Sequence, residues 1–253
     1  MVSLFSIHGF IITSSSTATW QSCRHQFSTT VKMKKKTNAF FWIISPTYKF
    51  AERNKINLSQ KPDGKTKITD GIKKYNVYYL RVSIALILPI EVFFQLTSTS
   101  ENWKLEKYFI TVFLGWLIFS RSIEIFKAFL DDAVEKLNGL PSTSKLNFGD
   151  RLRLAFNSYI ELVISFGILY YILPSTFFKG SASPFFFENI FEAIYFSGVT
   201  MTTIGYGDIS PANWFTQIMI LFQVFCGLTL ALVSFTVYTS LALSNPKTTD
   251  AEE

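Results

Sequence analysis

The residues whose types and spacing point to chemistry are Thr-Met-Thr-Thr-Ile-Gly-Tyr-Gly-Asp at 200–208. Their promise lies in the backbone. Gly205 and Gly207 can adopt conformations closed to other residues, so the carbonyls around them can all face one axis. Four copies of such a loop around an axis stack rings of oxygens that replace the hydration shell of a cation. Thr200, Thr202 and Thr203 have no candidate base to activate them and read as part of this loop, not as nucleophiles.

Other chemistry is poorly represented. His8 and His25 are the only histidines and both precede residue 26, which excludes His-based catalysis and His metal ligation from the rest of the chain. Cys23 and Cys226 are too far apart in kind, one in a polar tail and one in an apolar run, to read as a disulfide framework. No phosphate-binding glycine loop, metal cluster or nucleophile–base pair occurs, so an enzyme is not expected. Cys226 reads as a core residue.

The loop must be held by something, and the preceding sequence supplies it. Phe187 to Met201 reads as a helix whose start suits Pro184 and Glu188, with Glu188 and Glu192 at its positive end. It is too short to cross a bilayer. It must enter from outside and stop near the middle, its partially negative C-terminus favouring a cation there. Non-helical backbone at that depth is tolerated where it is buried in protein or lines water. Gly198 should weaken this helix.

Composition places these parts in a membrane. Aromatic residues make up 17% of the 253 residues, led by 27 Phe, and the apolar residues fall in long runs. A span needs roughly 20 residues of helix. Four candidates follow: about Val77–Leu96, Tyr108 to about Phe126, Leu154–Leu173 closed by Pro174, and Trp214–Leu243 closed by Pro246. The second must continue through Arg121 to reach full length. Arg81, Glu91, Arg121 and Glu161 lie inside spans and read as structural ion pairs, with Lys104 or Lys107 in reach of Glu91. Neither early span has the regular Arg/Lys series of a voltage sensor.

The net charge of +6 is concentrated early: residues 1–81 hold 14 Lys/Arg against three acids. Beside membrane spans such a region sets topology more often than it binds nucleic acid. Arg151 and Arg153 mark the segment before the third span as cytoplasmic too. The expected order is a basic cytoplasmic region at 1–75, two accessory spans at 76–126, an amphipathic cytoplasmic connector at 127–153, a pore segment at 154–243 and a short tail at 244–253. Met33, opening Met-Lys-Lys-Lys, is a candidate start, with 1–32 then not native. Phe40 to Ile44 suits a membrane surface. Residues 52–75 read as a polar linker turning at Pro62-Asp63-Gly64. In the connector, Phe126, Leu130, Val134 and Leu137 form one helical stripe ended by Asn138-Gly139 and Pro141.

The Thr203-Ile204-Gly205-Tyr206-Gly207-Asp208 run resembles the selectivity filter of the potassium channel family, whose loop Thr-Val-Gly-Tyr-Gly differs here by Ile for Val. The resemblance covers about residues 154–243. It implies an all-α membrane protein with four transmembrane helices, a re-entrant pore helix and a filter loop, assembled as a homotetramer. Potassium is then the transported ion, with no other cofactor. The carbonyls of Thr203, Ile204, Gly205 and Tyr206 and the Thr203 hydroxyl would coordinate it. Gly207 would turn the chain out, Asp208 would sit at the outer mouth, and Ile204 and Tyr206 would brace the filter from behind.

Where family members place Trp in the pore helix, this chain has Tyr195 and Phe196, and where some have a Glu it has Val199. Tyr195 is expected to bond Asp208. Gly227, 227 − 205 = 22 residues past the first filter glycine, stands where the family carries a hinge, although close helix packing accounts for it equally. Ala231, Phe235 and Thr239 follow at steps of four, making Phe235 the expected hydrophobic constriction.

The lipid bilayer, in the plasma (cell inner) membrane with both termini cytoplasmic, and three further copies are the expected partners. No nucleic acid and no soluble cofactor-binding domain are expected. A potassium transporter would carry four related loops in one chain, and this chain has one. A non-conducting accessory subunit has no positive sign in the sequence.

Overall fold

A computed structural model describes residues 44–97, 104–138, 144–179 and 186–244. All described residues lie within Phe40–Glu253. The expectations about Met33, Cys23, residues 40–43 and Pro184 therefore lie outside them.

Helix α1 spans Pro46–Ser59, with proline in its first turn where a missing N–H is harmless. A turn at 60–63, closed by Gly64 N–H to the Lys61 carbonyl (2.9 Å), leads into α2, Gly64–Thr97. The expected turn is present, but residues 52–75 are otherwise helical and not a linker. Tertiary contacts explain the difference. Ser45 donates to the Ser120 carbonyl (2.8 Å) and Thr47 shares a bond with the Ser120 hydroxyl (2.9 Å), docking α1. Ile68 is buried, and Thr69 accepts from the Lys145 N–H (2.9 Å). A polar segment with weak intrinsic preference becomes helical when packing holds it.

Helix α3 runs unbroken over Lys104–Leu137, so the second span and the connector stripe are one rod. The stripe holds at Phe126, which packs on the core, but Val134 and Leu137 are exposed. At that end the fully buried residue is Ala133, which sits against Tyr238.

Helix α4, Phe148–Ile172, starts at Asn147, whose side chain accepts from the Asp150 N–H (2.6 Å). It ends as Leu173 turns extended before Pro174. After strand β1 (Phe178–Lys179) come the short helix α5 (Ile190–Met201), the loop, and strand β2 (Ser210–Pro211), which pairs antiparallel with β1. The last span is α6 (Trp214–Leu228), a π-helical segment (Thr229–Ser234) and α7 (Phe235–Ser244).

Helix α4 is the buried centre. Leu162, Phe166, Ile168, Leu169, Tyr170 and Ile172 are all within the core, and α5 crosses against it. The crossing is close at Gly167, where a Cβ would stand 2.6 Å from the Ile194 Cα. Only glycine lets the two backbones approach this far. Phe178, Phe187 and Phe196 pack around Tyr170, with ring centroids of Phe178 and Phe196 at 5.8 and 5.3 Å from it.

Four helices among the described residues, Gly64–Thr97, Leu105–Leu137, Phe148–Ile172 and Trp214–Leu232, are long and apolar enough to cross a membrane. Large apolar side chains such as Leu88, Val92, Phe109 and Phe113 lie exposed on α2 and α3, where hydrocarbon, not water, suits them. Of the four charges expected to form ion pairs inside the spans, Arg121 and Glu161 do so among the described residues, and Arg81 and Glu91 do not. Arg121 grips the buried Glu161 through two bonds (2.8 and 3.3 Å), pairs with Glu124 (2.8 Å) and lies over the Tyr79 ring (4.0 Å). Arg81 is exposed. Glu91 accepts from Gln95 (3.3 Å), and the Lys107 expected to reach it instead donates to the Thr97 carbonyl.

Candidate ion-conducting site

Helix α5, the expected pore helix, is capped by Asn189, whose side chain accepts from the Glu192 N–H (3.0 Å), while the Glu192 carboxylate accepts from the Glu188 N–H (2.7 Å). This reciprocal pair caps the helix and puts a carboxylate at its positive end. The start is therefore Asn189, slightly later than the sequence implied.

Its other end builds the loop. The carbonyls of the last turn accept the N–H groups that follow: Gly198 from Thr202 (2.9 Å), Thr200 from Thr203 (3.0 Å), and Val199 from Ile204 (3.0 Å) and Gly205 (3.4 Å). The Thr202 hydroxyl also donates to the Gly198 carbonyl (2.8 Å). The donors of the loop are thus turned back onto the helix. The carbonyls of Thr203, Ile204, Gly205 and Tyr206 accept no hydrogen bond from the described residues.

The backbone alternates. Thr203 (φ 61°), Gly205 (φ 53°) and Gly207 (φ 82°) are left-handed, and Ile204 and Tyr206 between them are not. Alternation of right- and left-handed residues lines up N–H groups on one side, leaving carbonyls on the other. A left-handed residue costs about 1–2 kcal/mol unless it is glycine, so Thr203 is the one strained position. Within the chain, a Cβ at Gly205 or Gly207 would meet nothing within 4 Å, so conformation and not crowding explains both glycines here.

Residues 202–208 are all exposed, with Tyr206 at 66% and Ile204 at 57%. Their own chain gives them no bracing. Tyr195 on α5 is exposed, and Tyr206 and Asp208 lie near enough to act on its hydroxyl electrostatically. The expected Tyr195–Asp208 hydrogen bond is not among those of the described residues; the two groups are coupled through space.

Residues 158–243 match the family model described as Ion channel. The match covers about a third of the chain, and over that segment the chain is similar to ion channels. Among curated proteins and among solved structures nothing matches the chain. The protein is an integral membrane protein with an ion-channel domain made of α4, α5, the loop and the last span.

Gly227, one of the two gate candidates, is buried against the end of the pore helix: a Cβ there would lie 2.8 Å from Met201 Cγ and 3.0 Å from its carbonyl oxygen. Of the two readings, close packing is the one this geometry realises. The π-helical segment begins two residues later. It widens the turn, so steps of four from Gly227 no longer keep to one face across it. Ala231 is exposed, beside an apolar cavity lined also by Leu152, Phe156 and Leu230. The side chain of Phe235 lies outside the described residues. Cys226 is fully buried, as expected of a core residue.

Sequence reasoning missed the residues that fasten the pore helix. Gln223 on α6 is fully buried and donates to the Ser197 carbonyl (3.0 Å) and hydroxyl (2.7 Å). It accepts from the Tyr170 hydroxyl of α4 (2.6 Å), and Ser197 donates to the Val163 carbonyl (2.7 Å). The available signal was a glutamine in the middle of an uncharged apolar span, which is costly unless fully bonded. At the opposite end Asp132 accepts from Tyr238 (2.7 Å) and pairs with the buried Arg151.

Proposed function

We propose that four copies of this chain form a potassium-selective channel, with the carbonyls of Thr203, Ile204, Gly205 and Tyr206 and the Thr203 hydroxyl as the ion-binding ladder. The observation that carries this reading is the loop backbone. Left-handed residues alternate at 203, 205 and 207, the N–H groups of Thr203 to Gly205 are taken up by α5, and the carbonyls of Thr203 to Tyr206 remain open among the described residues. The negative end of α5 adjoins them and favours a cation.

The assembly has its own support. A single loop cannot enclose an ion, and residues 202–208 find no cover in their own chain. On the inner helix Ile218, Leu221, Phe225 and Leu228 form an exposed stripe at steps of three and four. A neighbouring copy covers such a stripe and supplies the bracing for Ile204 and Tyr206. Asp208 stands at the outer mouth with Tyr195 beside it, and Gly207 turns the chain out. Gating lies in the inner helix past Gly227, with Phe235 as the hydrophobic constriction. No Arg series drives it by voltage. The Arg121 charge is neutralised by Glu161 and Glu124. Both termini face the cytoplasm, the side that the basic residues before the first span and Arg151 and Arg153 favour, and the membrane is proposed to be the plasma membrane.

The test is flux through purified protein in liposomes. Potassium should move far faster than sodium, barium should block it, and the particle mass should be four times that of the chain. Equal sodium and potassium flux, or a monomer that conducts, would falsify the reading.

A further inference from the structure

The inner helix touches the pore helix at two successive points on one face. Gln223 bonds Ser197, and Gly227, four residues on, abuts Met201, four residues on from Ser197. Residues four apart on a helix share a face, so the two helices meet in register over one full turn. That turn is the one whose carbonyls, Gly198 to Thr200, hold the N–H groups of Thr202 to Gly205. Its position therefore sets the spacing of the loop carbonyls.

Gln223 is bonded on both ends of its amide. Its oxygen accepts from Tyr170 on the outer helix and its nitrogen donates twice to Ser197. Tyr170, Ser197 and Gln223 are all buried, so water cannot replace a missing partner. Three helices are thereby fixed to one amide plane. Apolar packing alone would allow the pore helix to slide or rotate by fractions of an ångström, whereas directional bonds at 2.6–3.0 Å define one position.

We propose that Gln223 is a positioning residue for ion selectivity: held by Tyr170, it fixes Ser197 and so the carbonyl spacing at Thr203 to Tyr206. It never touches the ion. It acts through the last turn of the pore helix, and it makes the fit of the loop to potassium depend on the register of the inner helix. This rests on the channel reading proposed above.

The experiment compares the full chain and its variants in liposomes, at equal amounts of assembled protein, with potassium and sodium as the probe ions. Gln223→Leu matches the volume and removes all three bonds. The potassium-to-sodium permeability ratio should fall about tenfold, equivalent to about 1.4 kcal/mol between the two ions. Tyr170→Phe keeps the ring and removes only the bond that orients the amide. It should lower the ratio about threefold, as one buried hydrogen bond would, and it serves if Gln223→Leu does not assemble. A merely structural role would reduce the yield of assembled protein and leave the ratio of what assembles unchanged. An unchanged ratio in either assembled variant overturns the proposal. A wild-type protein that fails to distinguish the two ions overturns the channel reading instead, and this proposal with it.

Discussion

Gly227 of the inner helix lies so close to Met201 of the pore helix that a single added methyl would stand 3.0 Å from the Met201 carbonyl oxygen. A backbone atom cannot step aside as a side chain can. Gly227→Ala should therefore push the two helices apart and destabilise the assembled protein by about 1–3 kcal/mol, the range for overpacking a dense core. Thermal melting in detergent checks this. A free hinge would predict instead a protein of unchanged melting temperature and altered gating.

Gly205 presents the opposite case, a glycine with open space around it and a left-handed backbone. Gly205→Ala should leave helix content unchanged by circular dichroism, because nothing in the chain is displaced. The loop should relax to avoid about 1–2 kcal/mol of left-handed strain, and potassium flux should be lost. Wild-type flux with the wild-type potassium-to-sodium ratio would show that the carbonyl ladder is not where the ion is read.

Glu161 is 1% exposed in its side chain and holds Arg121 by two bonds, while Glu124 holds the same guanidinium by one and leaves its Oε2 without a partner. Glu161→Gln should destabilise by about 3 kcal/mol, the lower end for breaking a buried pair, since Glu124 still neutralises the arginine. Glu124→Gln should cost less. Equal losses in a chemical or thermal melt would refute this ranking.

Tyr238 ties the inner helix to α3 through Asp132, and the ring of Tyr238 lies under Arg151 (5.9 Å). Tyr238→Phe keeps the ring and removes one hydrogen bond, worth about 1 kcal/mol. Amides of Phe235–Ser244 should then exchange about fivefold faster, because local opening becomes easier. Hydrogen-exchange mass spectrometry reads this directly, and unchanged rates would mean that apolar packing alone secures that end.

Under the proposed function Phe235 is the constriction. Phe235→Ala removes the apolar ring that keeps water out of a closed pore and should raise open probability in single-channel recordings. If closed times are unaltered, the gate lies elsewhere on the inner helix.

Much of this protein was legible before any tertiary contact was known. Four apolar runs near bilayer length, the basic residues before the first and the Gly-Tyr-Gly loop after a half-length helix are local features. Local features follow from composition, periodicity and the special backbone freedom of glycine. The extension of α1 and α2 through residues 52–75 was not legible, because Ser45 and Thr69 take partners 75 and 76 residues away. Nor was the capture of Arg121 by Glu161, 40 residues apart, or of Gln223 by Tyr170 and Ser197.

Sequence by itself thus determined that the chain lies in a membrane and that residues 203–208 can present carbonyls. It also determined that the charges in the spans need partners. Only the tertiary structure decided which partners they take, that Gly227 serves close packing against Met201, and that the inner helix and the loop are joined through Ser197. The physical reason is that propensity and hydropathy act between neighbours in the chain, whereas buried hydrogen bonds and backbone contact depend on where folding brings distant residues together.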